Sequence, residues 1–512
     1  MGHANKKLSL MALVLMIFTT VFGFTNSMQG FFLMGYASIP CFIVAAILFF
    51  IPFAFMVTEY GAAFQKESGG ILTWMGRSVN DKYAFIGTFM WYTSYVIWFV
   101  NICSGMIMRI SVVIFGENTT SSWHLFGFLQ PSQSVGVLAI LLMLLITYIS
   151  ARGLNNIAKI ASVGGITVLA LNVVLIFGAL IILISNKGEF AQPITGASFI
   201  HATNPSYNSV TGFFAYITMA IFAYGGLEAA GGLVDQTEKP EKNFRKAILI
   251  ASVVITIGYA LATFCIGMYV NWNESLSDPS INMASAQYTF MQVLAYKLAL
   301  AFGAGEASAK IIGLYMTRFY AAASILMYLG ALFSLAYAPL KQLIEGTPAE
   351  MWPKKLTEKK NGMPCNAMWL QCAIVVFLLL LTAFGGSNAS KFFNMLVLMI
   401  TVAMTIPYVF IAGAFPSFRR KTEIEKPLIV FKSNRSALVW SVLVVVTVGF
   451  ANVFTIINPA LTGDVTSTVY ELLGPILFGA IGYLIYHRYE RITKSKKASE
   501  SQSVEAQPAN KK

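Results

Sequence analysis

At 512 residues the chain is 57% hydrophobic and 11% charged, where a soluble domain carries about 25% charged residues. With a mean hydropathy of +0.68, this excludes a water-soluble globular fold and predicts a chain largely dissolved in lipid. The net charge of +13 is no nucleic-acid footprint, because its placement follows membrane topology.

At roughly 20 apolar residues per crossing there is room for about twelve spans. They are predicted at 9–35, 38–59, 83–113, 134–150, 157–185, 209–234, 245–270, 308–336, 366–386, 390–413, 436–458 and 468–487. The first follows Lys6-Lys7, is too long for a signal h-region and leads into more spans, so it is expected to be retained. Nearly all Lys and Arg fall in the N-terminus (1–8), 60–82, 151–159, 235–246, 337–365, 414–435 and the tail. The alternate connections hold only Lys187 and Lys297, with Lys391 at an edge. Basic residues mark the cytoplasmic side, so an even number of spans puts both termini there. A polar stretch from Ser285 to Phe302 reads as a helix lying across the outer surface. The tail, 488–512, lacks periodicity and is expected to be disordered.

Two spans are interrupted. Span one carries Gly23-Phe24-Thr25-Asn26-Ser27-Met28-Gln29-Gly30, and span six carries Gly225-Gly226-Leu227-Glu228-Ala229-Ala230-Gly231-Gly232. Glycine in a helix centre costs about 1 kcal/mol, and a mid-membrane carboxylate roughly 2.5–3.5 kcal/mol. Together they predict broken helices whose free backbone groups face a ligand. Glycines that merely let helices pack closely are the alternative, but a pair of breaks in matching positions points to a secondary transporter's site. Each broken span precedes four more, which predicts an all-α polytopic fold of two inverted five-span halves, about 9–185 and 209–413, plus two extra helices within 436–487.

An amino-acid ligand suits such breaks: its ammonium takes free carbonyls, and its carboxylate takes N–H groups at half-helix N-termini. The candidate binding residues are Phe24, Thr25, Asn26, Ser27, Phe222, Ala223, Tyr224, Gly225 and Gly226. Glu228 reads as the one carboxylate well inside a span, suited to proton or conformational coupling, with a purely structural carboxylate as the alternative. Glu59 and Asp235 lie at cytoplasmic ends, where charge is cheap. Arg109 can snorkel to the outer surface; Arg318 lies roughly 10 Å deep along its helix and needs a partner. Both read as structural, and Lys159 as interfacial. Phe222 is a candidate gate, and Tyr224, Trp91, Tyr92, Tyr95 and Trp98 could line the site. The five cysteines, an odd and scattered number, read as small buried hydrophobes. His3, His124, His201 and His487 sit in termini or loops, so no intramembrane metal cluster and no cofactor is expected. A P-loop and a channel filter sequence are both missing.

Three stretches carry a family resemblance. They are Thr58-Glu59-Tyr60-Gly61-Ala62-Ala63-Phe64 with Glu67-Ser68-Gly69-Gly70-Ile71-Leu72-Thr73-Trp74; Ala223 to Ala229 with Glu238 to Ala247; and Pro348 to Pro353 with Asn361-Gly362-Met363-Pro364. Over about residues 8–490 the chain resembles the amino acid–polyamine–organocation superfamily, and within it the bacterial inner-membrane glutamate:γ-aminobutyrate antiporter family. The resemblance implies a five-plus-five inverted-repeat (LeuT-like) fold and a site between spans one, three, six and eight. It also implies alternating access, a gating aromatic at Phe222 and a gating or proton-coupling glutamate at Glu228. Two departures stand out: span one lacks the Gly-Ser-Gly of many relatives, and Ser162 lies near where proton-coupled members place a lysine. The expected partners are an amino acid or amine, protons as the candidate coupling ion, and the bilayer, with no nucleic acid, for a monomer or homodimer. A transporter-like receptor that binds without net transport is the alternative, and a membrane enzyme is a remote third.

Overall fold

The computed structural model describes residues 7–279, 281–283 and 285–505. Among them there are helices and two isolated bridges but no strand. This is the architecture lipid demands, since every backbone polar group must find its partner inside the chain.

Among the described residues, eleven helical runs are long and apolar enough to cross a membrane. The first, Leu10–Ala63, has 54 residues and would extend about 80 Å as one helix, far beyond a core roughly 30 Å thick. It contains α1 (Leu10–Val21), α2 (Phe24–Met34), α3 (Ser38–Ala45) and α4 (Ile51–Ala63). Gly35 turns the chain between α2 and α3 with φ +63°, a left-handed conformation that glycine adopts freely. Leu8 exchanges backbone hydrogen bonds with Gln236 and Glu238, while Gly61 lies against the Phe244 ring. Both ends of the run therefore meet the same short stretch of chain, and the run folds back on itself. The twelve expected spans become eleven continuous runs for this reason.

A short helix, α5 (Gly70–Ser78), precedes α6 (Asp81–Phe115), α7 (Pro131–Ser150) and α8 (Leu154–Ser185). Helix α9 (Val210–Phe222) ends at the second break, and α10 (Pro240–Tyr269) follows it. Beyond the turn α11 (Trp272–Ser275) comes α12 (Ala286–Ala301), the non-spanning helix expected at 285–302. Phe290 and Leu294 bury its inner side. The rest are α13 (Glu306–Gly346), α14 (Lys354–Thr357), α15 (Cys365–Phe384), α16 (Gly386–Ala403), α17 (Ile406–Arg420), α18 (Asn434–Leu461) and α19 (Val465–Glu505). Side-chain caps start several of them: Asn80 accepts from Tyr83 N at 2.8 Å, and Ser209 from Gly212 N at 3.0 Å.

Helix α8 shows how lipid and protein faces separate. Ile166, Val173, Phe177 and Ile184 are exposed on one side, and Ala161, Gly164, Val168 and Leu175 are buried on the other. A Cβ on Gly330 of α13 would lie 3.1 Å from Gly164 Cα. Small residues let these two backbones touch, as in other membrane helix pairs.

Three expectations change. The tail is helical as far as Glu505, and only 506–512 lie outside the described residues; Glu, Lys, Arg and Ala after Arg488 are good helix formers. Helix α13 continues past 336 to Gly346 with Pro339 inside it, so a proline read as loop punctuation sits in a buried helix. Glu59 is not solvated but 0% exposed. It pairs with Arg419 at 2.9 Å and accepts from Val430 N and Phe431 N at 2.6 and 2.9 Å. All five cysteines are buried and free, and Lys159 is exposed.

Candidate functional site

The first break falls at Phe22-Gly23, where ψ is near +100° at both residues. It lies just before the Gly23–Gly30 stretch rather than within it, and Phe24 to Gly30 are helical. Thr25, Asn26 and Ser27 therefore occupy the first turn of α2, where backbone N–H groups lack helical partners. The last turn of α1 presents carbonyls to the same place. The second break is wider. Ala223 to Gly226 form turns and Leu227–Leu233 is a 3₁₀ segment, with Gly226 at φ +114°.

The 3₁₀ segment is held by α13. Lys341 Nζ donates to Gly232 O at 2.8 Å and pairs with Asp235, while Gln342 Nε2 donates to Ala229 O at 3.3 Å. Poorly directed 3₁₀ carbonyls thus find side-chain donors. Sequence reasoning placed both residues in a hydrophilic connection and missed them; no signal short of the helix's true end marks them.

Tyr259 of α10 joins the two breaks. Its hydroxyl accepts from Gly23 N at 3.0 Å and Asn26 Nδ2 at 3.1 Å, and its proton reaches the carbonyls of Ala223 at 2.8 Å and Val21 at 3.1 Å. The ring stacks between Phe22 and Phe42. Tyr259→Phe should keep the stack and strand these backbone groups, lowering stability by about 1–3 kcal/mol in thermal unfolding of the purified protein. An unchanged melting temperature would show that the bridge carries nothing.

Beside the breaks lies a cavity of about 290 Å³. Of the expected residues, Phe24, Thr25, Asn26, Phe222, Ala223 and Gly225 line it, as does Trp98. Thr19, Thr20, Met327 and Tyr328 add to the lining and escaped the sequence reading, since neither α1 nor α13 is interrupted at those positions. Trp91, Tyr92 and Tyr95, expected to line the site, are not in the wall, and neither are three of the expected binding residues. Ser27 is fully buried and its hydroxyl has no partner. Tyr224 packs on Phe50 and donates to Phe42 O at 3.1 Å. Gly226 gives its N–H to Glu228 Oε2 at 3.1 Å and Tyr408 Oη at 2.9 Å.

Glu228 is fully buried and turned toward α6, away from the cavity. Trp91 Nε1 donates to its Oε1 at 2.9 Å, and Tyr95 Oη to the same oxygen at 3.3 Å. These donors are neutral, and the carboxylate ties the second break to α6. Arg109 donates to Gly105 O at 2.9 Å and lies 4.0 Å from the centroid of the Tyr328 ring. It stands one side chain behind the cavity wall.

A family model described as amino acid permease matches residues 8–481. Two inner membrane transporters named YjeM align over nearly their full length. The Salmonella typhimurium protein is 48% identical over 491 residues, 96% of this chain and 97% of the relative. The Escherichia coli protein is 46% identical over 498 residues, 97% and 99% of the two chains. A distant relative, the aspartate/glutamate permease AcaP of Lactococcus lactis, is 23% identical over 419 residues, 81% and 80%.

Proposed function

The chain belongs to the amino acid permease family and is a multi-pass membrane transporter rather than an enzyme, and on that premise we propose that it carries an amino acid or related amine by alternating access. It works either as an exchanger or as a proton-coupled permease. The observation that carries this reading is one cavity walled by both helix breaks. There, carbonyls at the end of α1 suit an ammonium, and N–H groups at the start of α2 suit a carboxylate. Thr25 and Asn26 supply side-chain hydrogen bonds beside them. The basic end of the molecule, which holds both termini, is the cytoplasmic side. The substrate class suggested by the distant permease and by the antiporter resemblance is glutamate, aspartate or γ-aminobutyrate. Phe222, in the wall of the cavity, acts as its gate.

Glu228 couples a proton to the movement of the second break. As a carboxylate it accepts from Trp91, Tyr95 and Gly226 N at once. A proton on one oxygen turns an acceptor into a donor, sets it against the Gly226 N–H and loosens the break. Glu228→Gln mimics that form, so its flux should lose the pH dependence of the wild type. An unchanged pH–flux profile would remove Glu228 from coupling.

Counterflow tests the whole reading. Purified protein in liposomes preloaded with an acidic, γ-amino or neutral amino acid should accumulate the same labelled compound for one class. Folded protein that gives no counterflow with any compound, at neutral or acidic pH, would favour a receptor that binds without transport.

A further inference from the structure

A second cavity of about 490 Å³ lies beside the first and shares Asn26, Phe222 and Ala223 with it. Phe222 is thus a wall between two compartments. The far side is built by α18 and α19, the helices outside the expected repeats, through Phe454, Asn458 and Glu471. Glu471 is a second carboxylate within an expected span, close to the start of 468–487. Near a span end a carboxylate is ordinarily solvated, but this one is 6% exposed and its Oε2 accepts no hydrogen bond. Thr218, on the opposite wall, is also 6% exposed and its hydroxyl has no partner.

Burying polar groups without partners is costly, and two of them in one cavity mark a place where a ligand supplies the missing donors. Glu471 is the one charged side chain among the described lining residues. Asp464, on the turn before α19, adds negative field at Glu471. Its own carboxyl is held below the usual range by hydrogen bonds from the Ser467 hydroxyl and N–H, at 2.6 and 3.0 Å. The field selects a cation, and the set of oxygens selects one with several N–H donors.

We propose that this cavity is a capture site for the ammonium group of an amino acid or organic amine, with Glu471 as counter-ion and Thr218 and Asn458 as further acceptors. A primary ammonium has three donors and no acceptor, and these side chains offer a carboxylate, a hydroxyl and an amide carbonyl. From here the ligand passes Phe222 and Asn26 into the central cavity. That last role rests on the transport reading; the ligand class rests on the geometry of this cavity alone.

The test uses the full chain, purified, with its melting temperature followed against n-butylammonium, n-butanol and butyrate. The ammonium should raise it, and the alcohol and the carboxylate should not. Glu471→Gln should weaken the ammonium response about tenfold or more in apparent Kd, and Glu471→Asp less. A folded Glu471→Gln protein that binds n-butylammonium like the wild type would overturn the site, as would an equal response to n-butanol. If Glu471→Gln does not fold, Glu471→Asp and Asn458→Leu decide: weaker binding supports the site and unchanged binding overturns it. A Glu471-dependent ammonium response without counterflow for any amino acid supports the site while the transport reading falls. Counterflow together with an unaltered response in Glu471→Gln overturns the site alone.

Discussion

Gly226→Ala should reduce counterflow at least tenfold, while its neighbour Gly225→Ala keeps measurable flux. Gly226 has φ +114°, a region that L side chains rarely adopt, and entering it costs roughly 1–2 kcal/mol before any contact. A Cβ there would also lie 2.5 Å from Thr20 O and 3.1 Å from Thr20 C. Those are backbone atoms of α1 and cannot swing aside, so the two breaks must separate. The Gly226 N–H would then leave Glu228 and Tyr408, and the cavity wall would shift with it. Gly225 has no such φ, and a Cβ on it meets the Tyr408 hydroxyl at 2.7 Å and Phe222 O at 3.2 Å, a milder clash that leaves the spacing of the two breaks alone. The comparison separates break geometry from general sensitivity of the segment. Wild-type counterflow by Gly226→Ala would show that the close approach of the breaks is dispensable.

Arg419→Ala should lower stability by about 3–5 kcal/mol, because removing one partner leaves the other charge buried and unpaired. The pair is dry, with the Arg419 side chain 5% and the Glu59 side chain 0% exposed. It also holds the chain between α17 and α18: Arg419 Nη2 donates to Phe431 O at 2.9 Å, and Glu59 accepts from Val430 N and Phe431 N. Thermal unfolding of Arg419→Ala, Glu59→Leu and the double variant gives the coupling. The double variant should be markedly less destabilised than the sum of the singles, since replacing both charges removes the unpaired one. Additive losses would mean that the two residues act independently.

Composition and local pattern were enough for the class of molecule, the approximate placement of its apolar runs, and the two that break; the twelve expected spans were found as eleven runs. Lipid imposes these through local rules: apolar length, basic flanks, and the cost of glycine and carboxylate at depth all act within one segment. Phe222, Ala223, Gly225 and the Phe24–Asn26 turn were legible in the same way, because an interruption is visible without knowing the neighbours. Which polar groups those interruptions meet depends on how distant helices pack. Tyr259, Lys341, Gln342 and the Glu59–Arg419 pair all satisfy groups distant in the chain. Tyr224 and Gly226 look like binding residues until packing turns one toward Phe42 and gives the N–H of the other to Glu228. A tyrosine in an apolar helix or a charge near a span end carries no local mark of its partner. A buried donor is matched to its acceptor only when helices from distant parts of the chain pack against one another.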